Sequence, residues 1–162
     1  IAPGMAVITM EGLIGQTMEI TPHTSEVLLI SDGSSKVAVR CLPSGALGIL
    51  RGSGTAMPGV AALDMFAPLD AFSVEYLPKT SSIKPGQEVL TSGLGGVFPP
   101  DLVVGRVRNI KMDTSGLYWR AAVVPIADLS RLRSVFIVKG KPQEQVSEEP
   151  GDDSGPTSSE RM

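Results

Sequence analysis

A nine-residue stretch at the start of the chain returns just past its middle. Residues 1–9 (IAPGMAVIT) align with residues 83–91 (IKPGQEVLT), with Ile, Pro, Gly, Val and Thr identical at five of nine positions. After the offset grows by eight residues the match resumes. Residues 13–20 (LIGQTMEI) lie against 103–110 (VVGRVRNI), pairing Gly15 with Gly105 and Ile20 with Ile110, and Thr24-Ser25 then lies against Thr114-Ser115. Each copy reads as a turn, a short strand, a connection and a long strand with a glycine at its bend. Such a chain folds as two related β modules, and the eight-residue excess of the second copy falls in residues 92–100.

Ten short apolar runs are separated by turn signals at roughly the 8–12-residue spacing of all-β barrels and sandwiches. They cover 6–10, 13–20, 26–31, 36–42, 46–51, 72–77, 87–91, 102–112, 117–124 and 134–138. Alternation is clearest in 36–42, which sets Val37, Val39 and Cys41 on one face, and in 72–77, which sets Phe72, Val74 and Tyr76 together. Gly4, Gly12, Gly15, Gly86, Gly93 and Gly105 are the expected turn and bend positions. Residues 127–132 read as a helical turn or two, opened by Asp128 or Ser130. Two strands, 46–51 and 72–77, precede the second copy, so symmetry puts two more upstream of Ile1, and the chain reads as part of a longer protein. The fold expected is all-β, two tandem six-stranded antiparallel β-barrels. Residues 1–42 are the last four strands of barrel 1, truncated at its N-terminus, and 43–139 are barrel 2, with the final strand free either to stay there or to cross and complete barrel 1.

Glycine and proline make up 31 of the 162 residues, which excludes a long coiled coil. Residues 140–162 are built from Gly, Pro, Ser, Glu and Asp with a net charge of −4, and read as a disordered acidic tail. The remainder carries 12 Lys and Arg against 11 Asp and Glu, scattered singly, so no nucleic-acid face is expected. No apolar run approaches the ~18 residues that span a bilayer, so any membrane contact would come through an upstream anchor.

Chemistry finds little purchase. Cys41 is the one cysteine, which rules out an internal disulfide or a multi-cysteine zinc site, and His23 stands alone in a turn, so neither cofactor nor metal is expected. Cys41 reads as a small inward hydrophobe, with Arg40 on the opposite face. Asp32, Asp64, Asp70, Asp101, Asp113 and Asp128 fall near turns or strand ends, where Asp satisfies its own backbone. Glycine-rich 48–59 lies between strands and reads as a hairpin connection rather than a phosphate cradle. Tandem barrels are also the architecture of chymotrypsin-like hydrolases, and GDDSGP at 151–156 resembles the surroundings of their nucleophile. Ser154, however, sits in the tail, with no following strand to hold oxyanion donors. Thr91-Ser92-Gly93 lacks the flanking glycines of a nucleophile elbow. A peptidoglycan-binding surface would draw on Trp119, Tyr118 and Tyr76, with Tyr118 and Trp119 on opposite faces of one strand.

Two apolar loops stand out. Residues 92–100 (SGLGGVFPP) offer Leu94, Val97 and Phe98 on a connection stiffened by Pro99 and Pro100. Phe98 either plugs its own barrel or faces a partner as an anchor. Residues 56–71 hold Met57, Met65, Phe66 and Leu69. Leu94, Val97 and Phe98, followed by Met65 and Phe66, are the candidate partner-interface residues.

GMAVITMEGLIGQTMEI, SEVLLISDGSSKVAVR, GALGILRGSG, IKPGQEVLTSGLGGVFPPDLVVGRV and ADLSRLRSVFIV together resemble the periplasmic part of the MreC family of rod shape-determining proteins, over residue 1 to about residue 138. The resemblance implies two β-barrels outside the inner membrane, carried in the whole protein by one membrane-spanning helix and a coiled coil. It implies a non-catalytic scaffold that self-associates and contacts the elongation penicillin-binding protein, MreD and the actin-like MreB. No partner-binding residue carries over through these motifs, and the acidic tail has no counterpart in the family pattern.

Overall fold

The computed structural model describes residues 1–54 and 72–139. These hold ten strands and no helix: β1 (Ala6–Ile8), β2 (Leu13–Ile20), β3 (Ser25–Leu29), β4 (Lys36–Leu42), β5 (Ala46–Gly52), β6 (Phe72–Pro78), β7 (Glu88–Thr91), β8 (Val103–Met112), β9 (Tyr118–Pro125) and β10 (Phe136–Val138). Each of the ten apolar runs overlaps one of them, and four of the strands, β3, β5, β6 and β9, extend one residue past their runs. In β4 the period-two pattern acts as expected: Val37, Val39 and Cys41 are fully buried, while Lys36 is exposed and Ala38 and Arg40 are half-buried.

Six strands close a barrel in the order β4-β5-β6-β9-β8-β7, every neighbouring pair antiparallel, and the other four form a sheet in the order β10-β1-β2-β3. This corrects the expected division at residue 42. β4 hairpins with β5 through residues 43–45 and pairs β7 on its other side, Val39 with Thr91 and Cys41 with Val89, so it belongs to the closed barrel. β10, which the sequence leaves free to stay in barrel 2 or to cross to the first module, crosses: it pairs β1 through Ala6–Val138 and Ile8–Phe136. The repeat explains the exchange. β1 and β7 are equivalent strands, each with a long strand on one flank, β2 or β8, and each needing a second neighbour. β4 fills that place for β7 and β10 fills it for β1. The sheet therefore repeats the β4-β7-β8-β9 portion of the barrel, without counterparts of β5 and β6 among the described residues. The first module is here an open sheet, not a closed barrel.

Irregularities repeat as faithfully as the strands. The register shifts between Val7 and Ile8 and, at the equivalent place, between Val89 and Leu90. Gly15 lies opposite Leu29 and Gly105 opposite Pro125. A Cβ at Gly15 would run into the carbonyl oxygen of Leu28, and one at Gly105 into that of Val124. The bend glycines are thus places where two backbones meet too closely for any side chain.

One hydrophobic cluster runs through both units, taking Val7, Leu13, Ile14 and Ile30 from the sheet and Val39, Leu50, Val74 and Val104 from the barrel. The β1–β2 turn rests on the barrel: a Cβ at Gly12 would come 2.6 Å from the Val103 carbonyl oxygen and 2.7 Å from Ile126 Cγ2. Beside it, Glu11 Oε2 accepts a hydrogen bond from the Asp128 amide at 3.3 Å.

Three connections use the same short device, Asp-x-Ser. The Asp32 carboxylate accepts from the Ser34 amide at 2.8 Å and hydroxyl at 2.6 Å. Asp113 accepts likewise from Ser115, at 3.3 and 2.8 Å, and Asp128 accepts from the Ser130 amide at 2.9 Å and from its hydroxyl. At Asp128 this turn replaces the helical turn expected over 127–132, because a carboxylate that caps its own following amides competes with helix hydrogen bonding. The serine hydroxyl, then the serine amide, holds each of the three carboxyls below the ordinary value of 3.8. A depressed folded-state pKa contributes stability that is present above the unfolded value and lost as pH falls through the folded one. The triple variant Ser34→Ala, Ser115→Ala, Ser130→Ala is therefore expected to melt below the parent at pH 7. The gap should narrow as pH falls from about 4 towards 2. Melting curves across that range check it, and a gap that widened in acid would refute it.

One expected face does not hold. Phe72 and Val74 point inward, but Tyr76 is 57% exposed and Leu77 is buried in its stead. The register between β6 and β9 shifts between Val74 and Leu77, and Tyr76 has a φ of 62°. The bulge turns the tyrosine outward, where its ring meets Tyr118 edge-on at 5.7 Å.

Candidate functional site: a pinned loop beside a groove

Thr91, at the end of β7, is fully buried and organises the connection that follows. Its hydroxyl donates to the Pro99 carbonyl at 2.6 Å and accepts from the Leu102 amide at 2.9 Å. Its own amide and carbonyl bond Leu102 O and Asp101 N at 2.9 and 3.0 Å. The Ser92 amide reaches Ala38 O at 2.9 Å, and the Ser92 hydroxyl accepts from the Leu94 amide at 3.2 Å. Arg40 forms an ion pair with Asp101, whose φ of 69° ends the loop. Positive φ at Gly93, Gly95 and Gly96 lets the chain double back within these restraints. The loop is held in one shape before any partner arrives.

Phe98 is 6% exposed and belongs to the core cluster. This corrects its place among the partner-facing anchors: the ring packs into the core, the other of the two places the sequence left open to it. Leu94 and Val97 are 58% and 44% exposed. Met65 and Phe66 lie outside the described residues, as do Asp64, Asp70, Ser154 and the tail.

The exposed side of the loop borders a groove of about 370 Å³, lined by Lys36, Ala38, Ile49, Arg51, Tyr76, Leu94, Gly95, Val97 and Phe98. Strand register gives it an internal order. Lys36 lies opposite Arg51, and Ala38 opposite Ile49, on the outer face of the β4–β5 pair. Tyr76 comes from β6, next to β5, and the loop from β7, next to β4. The floor is apolar, the flanks are Tyr76 on one side and Leu94 and Val97 on the other, and one end is cationic. Arg51 approaches Glu75 at 3.5 Å, and Arg120 approaches the same carboxylate at 3.4 Å, so one anion serves two guanidiniums.

The remaining chemical candidates sit apart from this groove. Burial pushes the Cys41 thiol up to about 11, which keeps it protonated and inert. His23 is exposed in the β2–β3 turn, where Thr21 and Thr24 bond one another. Trp119 is half-buried, with its indole N–H donating to Lys79 O at 3.4 Å. No group of three His, Cys, Asp or Glu that could hold a metal occurs among the described residues. Thr91 gave one sign of its role in sequence: the repeat pairs it with Thr9, whose hydroxyl likewise accepts from the Glu11 and Gly12 amides that open its own connection, at 3.2 and 3.4 Å.

Residues 1–139 match the family model for rod shape-determining protein MreC, barrel core. The cell shape-determining protein MreC of Cereibacter sphaeroides is 34% identical over 148 residues, 91% of this chain and 43% of that protein. The solved MreC of Pseudomonas aeruginosa superposes with a TM-score of 0.71 at 28% identity, covering 86% of this chain and 81% of that one. The MreC solved in complex with penicillin-binding protein PBP2 from Helicobacter pylori shares the fold, with a TM-score of 0.61 at 21% identity over 82% and 74% of the two chains. The chain spans less than half the length of the first curated relatives it matches.

Proposed function

Because this chain belongs to the MreC family of rod shape-determining proteins, we propose that it works as a non-catalytic scaffold of cell-wall elongation on the periplasmic side of the inner membrane. It acts by binding: it holds the elongation penicillin-binding protein in place, associates with further copies of itself, and connects through the whole protein to MreD and MreB. The observation that carries this reading is the reach of the family match, which runs through both modules and the 92–100 loop. The fold shared with the MreC of the Helicobacter pylori PBP2 complex supports the penicillin-binding protein as partner. An exposed apolar pair on a pre-shaped loop supports a surface that meets protein. The contacts to MreD and MreB rest on family resemblance alone.

The test is titration of the chain into the purified periplasmic domain of the elongation penicillin-binding protein from the same organism, followed by calorimetry. Saturable binding is expected, with no labelling of the chain by a serine-reactive fluorophosphonate. Absence of binding by a chain whose near-ultraviolet circular dichroism shows packed aromatics would overturn the reading. Stoichiometric labelling would favour the hydrolase alternative.

A further inference from the structure

We propose that the groove between Tyr76 and the 92–100 loop seats a short apolar segment of the penicillin-binding protein that carries a carboxylate at the Lys36–Arg51 end. This rests on the preceding reading of the partner and adds where that partner sits and what chemistry it presents.

Three features of the groove fix the chemistry of its occupant. Its floor and flanks, Ala38, Ile49, Tyr76, Leu94 and Val97, offer apolar surface and no carboxylate. An occupant gains there by covering side chains that now face water. At the far end, Lys36 has no acidic partner among the described residues, and Arg51 shares Glu75 with Arg120. Among the described residues that end carries surplus positive charge, which an apolar segment ending in a carboxylate matches and one ending in a cation does not. The third feature is cost. Tyr76 keeps a left-handed backbone, which a non-glycine residue adopts only under restraint, and the result is to put its ring outside the barrel, in the groove wall. Folding alone would be served by glycine at that position. The loop facing it is tied down by Thr91 and by the Arg40–Asp101 pair, so both walls are set before binding and little order is lost when the groove fills.

The experiment measures affinity of the full chain for the penicillin-binding protein's periplasmic domain in three variants, with melting temperature and sedimentation velocity recorded for each. Leu94→Ala with Val97→Ala should weaken binding by about tenfold or more. Lys36→Glu should weaken it by about fivefold at low salt, an effect that fades in about 0.5 M salt. Tyr76→Gly should weaken binding with little change in melting temperature, since relief of the positive φ offsets the lost edge contact with Tyr118. Weaker binding in that variant is then not a consequence of poorer folding. If the parent binds and all three variants bind equally well, the partner reading stands and the groove is the wrong place. If the variants instead dissociate a homodimer while leaving partner affinity intact, the occupant is a second copy and the proposal falls. No binding by the folded parent overturns the partner and the groove together.

Discussion

Gly105→Ala is expected to destabilise the chain by about 3 kcal/mol or more, at the top of the range for steric overpacking, and to lower its melting temperature by about 10 °C or more. The added Cβ would collide with the Val124 carbonyl, which is backbone and has no rotamer to retreat into. Relief would require β8 and β9 to separate. β9 is held on its other side by β6, and β8 by β7, so the closed barrel leaves neither strand room to move. Gly15→Ala creates the same collision with Leu28, but β3 has no second neighbour among the described residues and can swing outward. Its cost should be smaller, about 1 to 2 kcal/mol. Urea unfolding of the two variants side by side measures the difference. Equal costs would mean that closure does not stiffen the barrel, and tolerance of both would mean that the glycines do not set strand separation.

Phe98→Ala should cost about 3 to 5 kcal/mol, the usual range for emptying a buried aromatic site. The barrel end it plugs cannot collapse to fill the space, because the loop above it is fixed at Thr91 and at Asp101. Leu94→Ala, four residues earlier but exposed, should stay within about 0.5 kcal/mol of the parent. Thermal melts of both variants separate plug from surface. An unchanged melting temperature for Phe98→Ala would return the ring to the partner-facing side.

Strand identity was legible in sequence wherever one face is wet, as in Val37, Val39 and Cys41, and the repeat placed the extra loop in the connection between β7 and β8. Partnership between strands was not legible. Nothing in Lys36–Leu42 says whether β1 or β7 is its neighbour, because hydrophobic alternation reports which face is buried and not what lies alongside. That is how β4 came to sit in the barrel against expectation, and why the place of β10 stayed open until the strands were assembled. Tyr76 was misplaced for a related reason: alternation assumes an unbroken pleat, and one bulge reverses every face beyond it. At the candidate site, Leu94, Val97 and Phe98 could be picked out together by composition, but which of them faces water is set by how the folded loop lies on the barrel. Lys36, Arg51 and Tyr76 belong to three strands, and only the assembled barrel brings them to one groove.

The pairing of β10 with β1 has a bearing on how the chain reaches this state. Ala6 meets Val138, a contact that spans nearly the whole of the described sequence. In a chain that emerges N-terminus first, one flank of β1 stays bare until the last strand has emerged. Closing so long a loop comes late and slowly compared with local hairpins. The barrel, whose strands are all in hand by β9, is complete before that happens. The protein thus makes its two halves in one order and finishes them in the other, and a chain cut short before Phe136 would leave its first strand paired on one flank alone while keeping every strand of its barrel.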